Sequence, residues 1–369
     1  MKVLHCAALL SPPSGVVSQM ESEQFAASKV GIEWHVRMFC PRGSCVQSTI
    51  AHHSRWLGEK KNNAFWKAYA WLLLRVEYHH WLYSLGREYD AFVLRYYVHD
   101  PFQLLFILLC NRPVYLVHHT LEVPELAMGG GYLGRLRSGL DSLIGKYAIK
   151  KSAGTIAVTQ EILDYERKRA QVGSRKDFLY PNGVFFDQGP VPDSRPEVPE
   201  LLFVAGHFAS WHGLDLLLDE ISTSSDQFVL HLVGDLSEGD HARASGDKRI
   251  VLHGRLAASA IRKVAESCSL GLSSFALDRK GMTEACTLKV REYLVMGLPV
   301  YAGHKEVFPT SFDFYRNGAI SLPDILSFAR SVSSVSREQV AASAKPYIDK
   351  AAILDTLYRA LIDAQEAQN

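Results

Sequence analysis

Two glutamates eight residues apart, Glu284 and Glu292, lie in the part of the chain whose residue types are best suited to chemistry, positions 281–300. Thr287 between them is a good helix N-cap, and Gly297 stands where such a helix would have its C′ residue. The first turn of this helix would present unpaired N–H groups and the positive end of the helix dipole, which together attract an anion. Glu284 would lie in the loop before the helix and Glu292 about one and a half turns inside it. We expect the first carboxylate to reach a group in front of the helix and the second to accept hydrogen bonds from hydroxyls, such as those of sugars and ribose.

Alternating strands and helices are expected to position this segment. Patterns typical of buried strands occur at 3–10, 32–39, 90–94, 113–117 and 154–158, and helical patterns at 21–30, 102–109, 133–151 and 160–170. The alternation then restarts, with strands at 201–205, 228–233 and 249–252 and helices at 214–221, 257–266 and 287–296. This order predicts α/β domains with parallel sheets covered by helices on both faces.

A break between two such domains is expected at residues 187–200. Residues 180–184 form a turn signal, and the next stretch contains five prolines or glycines and no periodicity. We therefore predict an N-terminal domain at 1–186, a linker at 187–200, a C-terminal domain at 201–345 and a closing C-terminal helix within 346–369.

Composition excludes several classes of protein. Of the 369 residues, 47% are hydrophobic and 21% are charged, as in a folded globular chain of two to three domains. The longest apolar run, 104–110, is far shorter than the ~20 residues that span a bilayer. The N-terminal segment carries His5 and has no clear cleavage site, so we interpret it as a first strand rather than a signal peptide. The six cysteines are scattered, without paired or zinc-binding spacing, which argues against a disulfide framework and favours the cytoplasm.

Charge is distributed unevenly along the chain. The net charge is +1, but residues 1–190 carry 22 Lys and Arg against 16 Asp and Glu, whereas residues 191–369 carry 18 against 23. The basic excess is concentrated in residues 55–87 and 135–151. This asymmetry indicates an anionic surface or substrate for the N-terminal half.

Residues 55–87 also contain interleaved aromatic side chains, namely Trp56, Trp66, Tyr69, Trp71, Tyr78, Trp81 and Tyr83. One interpretation is an aromatic-rich helix packed on its own domain. The other is an interfacial element, with rings at headgroup depth and cations against anionic lipid. Nucleic acid is not an expected partner, because the charge lies on few segments and no recognised binding motif accompanies it.

The segment 284–300 resembles the Glu-x7-Glu signature of retaining family 4 glycosyltransferases, followed by their Glu-Tyr-Leu-x-x-Gly-Leu-Pro-Val sequence. Other segments resemble further parts of that family, namely 116–120, 178–184, 201–206, 213–217 and 232–235. The resemblance covers nearly the whole chain. It implies the GT-B fold, in which two Rossmann-like domains face a cleft. The C-terminal domain would hold most of the donor, and the C-terminal helix would close back toward the N-terminal domain.

The resemblance also implies roles for residues around the helix start. Glu284 would contact the donor sugar and Glu292 would hold the nucleotide ribose. The backbone amides of Thr287, Leu288 and Lys289 would meet the donor phosphates. Neither a metal nor another cofactor is implied, since helix amides and cations would stabilise the leaving diphosphate.

The remaining implied roles belong to residues near strand ends and loops. His119 would contact the sugar or the reacting centre, although strand alternation places His118 on the opposite face and leaves open which of the two faces the cleft. The acceptor side would include His118 and Gly15. The donor side would include Gly206, His207, His212 and, near the base-binding turn, Arg255.

The chain departs from the family pattern at two places. His207 and His212 stand where the family usually has an arginine and a lysine that neutralise the diphosphate, so a permanent pair of charges is replaced by a titratable or neutral pair. Lys289, Arg279 or Lys280 would then take over, or the helix amides would suffice, or the donor differs. The segment 11–16 has one glycine, Gly15, where the family loop commonly has two.

The resemblance implies a retaining glycosyltransferase that moves a sugar from a nucleoside diphosphate sugar to an acceptor hydroxyl. The acceptor would be a glycan or a lipid-linked glycan in surface polysaccharide or glycolipid assembly, at the inner face of the cell membrane. Two alternatives stay open: a sugar-nucleotide epimerase of the same fold, which would consume donor without transfer, and a membrane-associated scaffold that has lost catalysis.

Overall fold

The chain folds into two compact units, seen in a computed structural model that describes residues 1–42, 48–57, 64–129, 131–173 and 177–367. Unit 1 comprises Met1–Tyr180 and Lys350–Asn369, and unit 2 comprises Pro181–Asp349. The unit boundaries therefore lie several residues from the 186/187 and 345/346 positions expected from the sequence.

Unit 1 contains a parallel sheet whose described strands are β1 (Val3–Ala8), β2 (Trp34–Cys40), β3 (Ala51–His53), β4 (Ala91–Arg95), β5 (Val114–His118), β6 (Gly154–Ala157) and β7 (Asp177–Leu179). Its described helices are α1 (Ser14–Val30), α2 (Ala64–Ser84), α3 (Pro101–Leu109), α4 (Glu122–Gly129), α5 (Gly131–Lys151), α6 (Gln160–Ala170) and α13 (Lys350–Glu366). The strand order is β3-β2-β1-β4-β5-β6-β7, and every neighbouring pair is parallel. This is the doubly wound Rossmann order with one added edge strand.

Unit 2 repeats the architecture with strands β8 (Glu200–His207), β9 (Val229–Asp235), β10 (Ile250–Gly254), β11 (Leu270–Leu272), β12 (Val300–Ala302) and β13 (Tyr315–Asn317). Its α-helices are α7 (Leu214–Thr223), α8 (Glu238–Ser245), α9 (Ala258–Ala265), α10 (Leu288–Val295), α11 (Leu322–Ser331) and α12 (Arg337–Ile348). The strand order β10-β9-β8-β11-β12-β13 is again all parallel. The prediction of two Rossmann-like α/β domains is therefore confirmed.

Completely buried strands show that the sheet of unit 1 is covered on both faces. All six residues of β1 and all five of β5 are buried, as expected for strands inside a parallel sheet. Close packing also selects glycine at Gly234 of β9, which has a φ of 130°. A Cβ atom there would lie 1.6 Å from the carbonyl oxygen of Ala205, so β8 and β9 approach each other as only glycine allows.

The first helix of unit 1 begins earlier than the sequence pattern predicts. It starts at Ser14 rather than at residue 21, directly after the extended Pro13. Gly15, expected in a loop, is therefore in the first turn of α1, where it is exposed. These first turns contribute to the core, since Val17 and Met20 are buried.

The C-terminal helix closes back onto unit 1, as predicted. Its first residue, Lys350, lies 3.7 Å from the Glu23 carboxylate of α1 and donates a hydrogen bond to the Tyr180 hydroxyl at 2.8 Å. Further along, the Tyr358 hydroxyl donates to the carbonyl oxygen of Met1 at 2.6 Å. The helix is thus attached to unit 1 by buried polar groups as well as by apolar packing.

The described residues within 55–87 pack largely on their own unit. On α2 Tyr78 is fully buried, and the buried Arg75 guanidinium lies 3.6 Å from the centre of the Tyr97 ring. Tyr69 and Tyr83 nevertheless remain exposed. The basic residues 60 and 61, which contributed to the predicted interfacial charge, lie outside the described residues.

Four of the cysteines, Cys6, Cys110, Cys268 and Cys286, are free thiols, whereas Cys40 is disulfide-bonded, which its spacing in the sequence did not predict. Among the helices that the structure describes, none combines the length and apolar character needed to cross a bilayer.

Candidate functional site

Helix α10 of unit 2 begins with backbone amides that have no acceptor among the described residues. The Thr287 side chain caps the helix by accepting a hydrogen bond from the Val290 amide at 3.4 Å. The amides of Leu288 and Lys289 donate to no acceptor in the part of the chain that the structure describes. They are the first-turn donors that the sequence pattern predicts, and together with the helix dipole they suit an anion.

A buried ion pair holds the start of α10 in place. The Arg291 guanidinium and the Glu306 carboxylate are both fully buried and bonded at 2.8 Å from Nη2 to Oε2. Arg291 Nη1 also donates to the Thr287 carbonyl at 3.1 Å, and Glu306 accepts a hydrogen bond from the Thr287 amide at 3.2 Å. The expectation that the Thr287 amide meets donor phosphates is therefore corrected, because that amide is already bound to a carboxylate.

The turn segment around Asn182 supports the same helix. Its amide N–H donates to the Cys286 sulfur at 3.0 Å, and its side-chain Nδ2 donates to the Cys286 carbonyl at 2.6 Å. The Asn182 carbonyl in turn accepts from Arg291 Nε at 3.0 Å. Sequence analysis identified this segment as a turn but did not predict its partners, because they are more than 100 residues away in the chain.

Lys289 and His212 form a close pair in front of the helix. The Lys289 ammonium nitrogen lies 3.2 Å from Nε2 of His212, whose other nitrogen, Nδ1, accepts a hydrogen bond from the Ala209 amide at 2.9 Å. That bond places the hydrogen of a neutral His212 ring on Nε2, which faces Lys289. Two donors thus face one another, and one acceptor lying beside both nitrogens would satisfy them.

Burial changes the titration of this pair. It lowers the pKa of Lys289 to about 8, with the Glu292 carboxylate acting in the opposite direction. Burial together with the Lys289 charge lowers the pKa of His212 to about 4. His212 is therefore neutral near pH 7, and Lys289 carries most of the positive charge at this point.

The other candidate cations have different partners. Arg279 makes two hydrogen bonds to Asp215, at 2.9 and 2.8 Å, and a third to the Ser210 carbonyl. The Lys280 ammonium lies 4.5 Å from the centre of the Trp211 ring. Of the three cations that the sequence resemblance suggested as replacements, Lys289 is the one whose side chain reaches His212.

The carboxyl ends of β8, β9 and β10 place three more predicted residues at one edge of the sheet. Gly206 and His207 end β8 and are exposed, and His207 pairs in register with Asp235 at the end of β9. Asp235 accepts a hydrogen bond at 2.6 Å from Nε of Arg255, which follows β10. In open α/β sheets ligands bind at this edge.

A pocket of about 280 Å³ opens beside Glu292 on the second turn of α10. Its lining combines apolar side chains with a few polar groups from α9, α10 and the segment after Asn182, namely Val184, Phe185, Asp187, Gln188, Ala258, Ile261, Arg262, Glu292, Val295 and Met296. Burial raises the pKa of Glu292, with Lys289 acting the other way. An apolar wall with a carboxylate at its edge suits a planar ring and the hydroxyls attached to it.

Glu284 lies in the segment that leads into α10. Its backbone pairs with Lys305, since the Ala285 amide donates to the Lys305 carbonyl at 3.0 Å and the Lys305 amide donates to the Thr283 carbonyl at 2.9 Å. The half-buried Glu284 is therefore placed by backbone pairing in front of the helix, where the sequence predicts it.

His118, at the end of β5 in unit 1, is fully buried. Its ring stacks on Tyr96 with centroids 4.3 Å apart, and Nδ1 lies 3.1 Å from the Glu122 carboxylate and 3.7 Å from Glu166. Burial opposes the charged form, but these two carboxylates outweigh it and raise the pKa of His118. The expectation of a contact with the acceptor is not supported, because the enclosed ring has no accessible surface.

His119, the next residue, is half-buried beyond the strand end. Burial, reinforced by the charges of Arg95 and His5, holds the pKa of His119 well below its ordinary value. The neutral ring therefore remains available as a hydrogen-bonding group. Of the two histidines, His119 is the more accessible to solvent.

Two groups of ligating side chains come together that the sequence did not predict. Glu200, His231 and Cys268 offer ligand atoms within 4.8 Å of one another, and so do His118, Glu122 and Glu166. In both groups the charges already have protein partners, since His231 bonds Glu200 at 2.9 Å and Arg169 bonds Glu166 at 2.5 Å. Internal ion pairs account for these contacts.

Comparison with known proteins shows which fold this is. No protein-family model matches the chain, and no curated protein sequence matches it. The lipopolysaccharide outer core galactosyltransferase WaaB in its apo form has a TM-score of 0.67 at 12% identity, over 98% of this chain and 99% of that one. A glycosyltransferase from Rickettsia africae ESF-5 has a TM-score of 0.65 at 12% identity, over 99% and 98%. Anabaena HepE in complex with UDP has a TM-score of 0.65 at 14% identity, over 98% and 100%. The chain therefore has the GT-B fold of these glycosyltransferases.

Proposed function

We propose that this protein is a retaining glycosyltransferase that transfers a sugar from a nucleoside diphosphate sugar to an acceptor hydroxyl. The proposal is carried by one observation, the convergence in unit 2 of two unpaired helix amides, the Lys289–His212 donor pair and the pocket beside Glu292. The structures of HepE with UDP and with UDP-glucose, which share the fold, support this class of ligand.

In the proposed reaction, negative charge develops on the departing diphosphate. The amides of Leu288 and Lys289, the Lys289 ammonium and the Nε2–H of His212 are the groups that would stabilise it. Because they are held in place before the reaction, little reorganisation is needed as the charge develops. We propose on this basis that the enzyme needs neither a metal ion nor another cofactor for leaving-group stabilisation.

The nucleoside would occupy the pocket beside α10. Its base would lie against the apolar wall, and the ribose hydroxyls would donate hydrogen bonds to the Glu292 carboxylate. Glu292 and Lys289 are three residues apart on one helix and therefore lie on the same face. A ribose bound by the first and a diphosphate bound by the second would be adjacent, as they are in a nucleoside diphosphate.

The remaining assignments follow the family resemblance. Glu284 would orient the donor sugar and neutral His119 would contact the sugar or the reacting centre. His207, Gly206 and Arg255 would line the donor side, and Gly15 in the first turn of α1 would lie on the acceptor side. Retention is proposed to follow from attack on the same face of the sugar, through an ion-pair-like transition state. We place the reaction in the cytoplasm at the inner face of the membrane, with a glycan or lipid-linked acceptor of surface polysaccharide or glycolipid assembly.

A thermal-shift panel of UDP, GDP, ADP and CMP with their sugar conjugates tests the proposal. A ligand at a hundred times its dissociation constant adds about 2.7 kcal/mol to the free energy of unfolding, a readily measured shift. We expect nucleotides with one particular base to give a clear shift. Glu292→Ala should lower the affinity for that nucleotide at least about tenfold, since hydrogen bonds to a charged group contribute about 1.5–3 kcal/mol.

Glu238→Ala is the matched control, because it removes an exposed glutamate from α8 of the same unit. Unchanged affinity in Glu292→Ala would remove the ribose assignment, and the absence of a shift with every nucleotide would contradict the donor site. Product analysis then separates the alternatives: a transferase forms a new bond to the acceptor, whereas an epimerase yields an isomer of the donor without one.

A further inference from the structure

Helix α5 of unit 1 exposes six large apolar side chains, whereas three of its five buried residues are glycine or alanine. The exposed residues are Tyr132, Leu133, Leu136, Leu140, Leu143 and Tyr147. The buried ones are Gly134, Asp141, Gly145, Ala148 and Ile149. At 100° per residue the six exposed side chains fall within an arc of about 100°, and the buried face is centred on the opposite side. A helix that only packs on its own domain has the reverse arrangement.

The small inward residues are required by close packing. A Cβ atom on Gly134 would lie 2.3 Å from the Leu126 carbonyl oxygen, and one on Gly145 would lie 2.0 Å from the Tyr96 hydroxyl. Asp141 is fully buried and bonded to Arg169 at 2.8 Å. The orientation of α5 is therefore determined by its inner face, and the apolar stripe is held outward.

Basic side chains border the stripe. Helix α5 contains five of them, Arg135, Arg137, Lys146, Lys150 and Lys151, and its one acidic residue is the buried Asp141. None of the five forms an ion pair with a carboxylate in the described part of the chain, whereas Arg167 and Arg169 on neighbouring α6 do. An uncompensated positive border around an exposed apolar face is complementary to an anionic, amphipathic surface.

Helix α3 extends the apolar surface. It packs against both α2 and α5, carries no charged residue, and exposes Leu105, Leu108 and Leu109. Nine large apolar side chains on α3 and α5 are thus more than 40% exposed within unit 1. Exposed large apolar side chains on two helices that pack together indicate an interaction site rather than ordinary surface.

We propose that α5, with α3 beside it, lies in the headgroup region of an anionic phospholipid bilayer and attaches the protein to the membrane surface. The apolar stripe would enter the boundary between headgroups and acyl chains, and the lysines and arginines would contact lipid phosphates. This assigns the membrane contact chiefly to residues 131–151 rather than to residues 55–87, whose helix buries Arg75 and Tyr78. The proposal does not depend on the glycosyltransferase assignment.

Vesicle flotation with the full chain tests the proposal. We expect the protein to float with vesicles of phosphatidylcholine and phosphatidylglycerol, to float less with phosphatidylcholine alone, and to lose the difference at high salt. Leu136→Gln/Leu140→Gln/Leu143→Gln should lower binding to the mixed vesicles at least about tenfold, because the variant removes apolar contact area. Arg135→Gln/Lys150→Gln should lower binding to the mixed vesicles by roughly tenfold or more and leave the weak binding to phosphatidylcholine unchanged.

Leu72→Gln/Val76→Gln, which alters exposed apolar residues of α2, is the matched control and should bind as the wild type does. Loss of binding in that variant but not in the α5 variants would overturn the proposal. So would a wild-type dimer that becomes monomeric in the triple variant, measured by sedimentation without vesicles, since a second copy would then cover the stripe. Nucleotide-induced thermal shifts measured in each variant report folding and the donor site separately from membrane binding.

Discussion

At the residue scale, Lys289 and His212 form a coupled pair of hydrogen-bond donors at the proposed donor site. In the free protein His212 is neutral near pH 7, because burial and the Lys289 charge lower its pKa to about 4. Lys289 is itself easier to deprotonate than an ordinary lysine. Positive charge at the proposed diphosphate position therefore depends mainly on Lys289, and binding of an anion would raise the pKa of Lys289 again.

Affinity for a nucleoside diphosphate is expected to depend on pH through Lys289. The pKa of this group is about 8 in the free protein, and a bound diphosphate would raise it. Affinity should then be highest near pH 7, where Lys289 is mostly protonated. It should fall about tenfold by pH 9, because the free protein must first take up a proton. Titration calorimetry between pH 7 and 9, where the phosphate no longer changes its charge, measures this fall.

Lys289→Arg is the informative control for this prediction. A guanidinium stays protonated over the whole range, so its affinity should not change with pH. A flat profile in the wild type would contradict the assignment.

At the element scale, the start of α10 is positioned by buried polar groups rather than by its own sequence. Burial disfavours the charged guanidinium, but Cys286 and Glu306 outweigh it and raise the pKa of Arg291. The same ion pair holds Thr287 through its carbonyl and its amide. The direction of the unpaired Leu288 and Lys289 amides therefore depends on Glu306.

Glu306→Ala is expected to lower the free energy of unfolding of the protein by about 3–5 kcal/mol, because it leaves a buried guanidinium without its partner. Urea denaturation measures the loss. Asp219→Ala is the matched control, since it breaks the exposed Asp219–Arg243 pair and should cost less than about 1 kcal/mol. Equal losses in the two variants would show that the Arg291–Glu306 pair has no special structural role.

At the scale of the whole molecule, the chain leaves unit 1 at Tyr180 and returns to it at Lys350. Glu23 on α1 receives hydrogen bonds from Trp34 at 2.7 Å and from Tyr180 at 3.0 Å, and it pairs with His5. Burial opposes ionisation, but His5 and Lys350 outweigh it and lower the pKa of Glu23 to about 2. The charged form of Glu23 therefore stabilises the attachment of α13.

Lys350→Met should destabilise unit 1 by about 2 kcal/mol or more near pH 7, because Glu23 loses one of its buried cationic partners. The pKa of Glu23 is lower in the folded protein than its ordinary value of 4.5. Ionised Glu23 therefore stabilises the fold above pH 4.5, and this stabilisation is lost as the pH falls toward 2. The variant should therefore lose less stability than the wild type over that acid range. Lys345→Met, which changes an exposed lysine of α12, is the control in thermal unfolding at each pH. A wild-type-like profile in Lys350→Met would contradict the role of this lysine.

Local patterns predicted a large part of the architecture. Helix α6 lies at the predicted residues 160–170, and the strands β1, β4, β5 and β8 lie within two residues of their predicted positions. These elements carry continuous apolar runs or clear caps, which are properties of neighbouring residues. Strands β11, β12 and β13 were missed because three residues are too few to show a period.

The sequence by itself determined the two Rossmann-like halves, the helix start at Thr287 and the positions of Glu284 and Glu292, because these follow from neighbouring residue types. Only the tertiary structure decided that Lys289 meets His212, that Glu306 occupies the Thr287 amide, that His118 is enclosed while His119 is not, and that α5 turns its leucines outward. Each of these outcomes depends on groups distant in the chain and on which face of an element is buried. Burial also sets the titration of Lys289 and His212, and no local pattern contains that information.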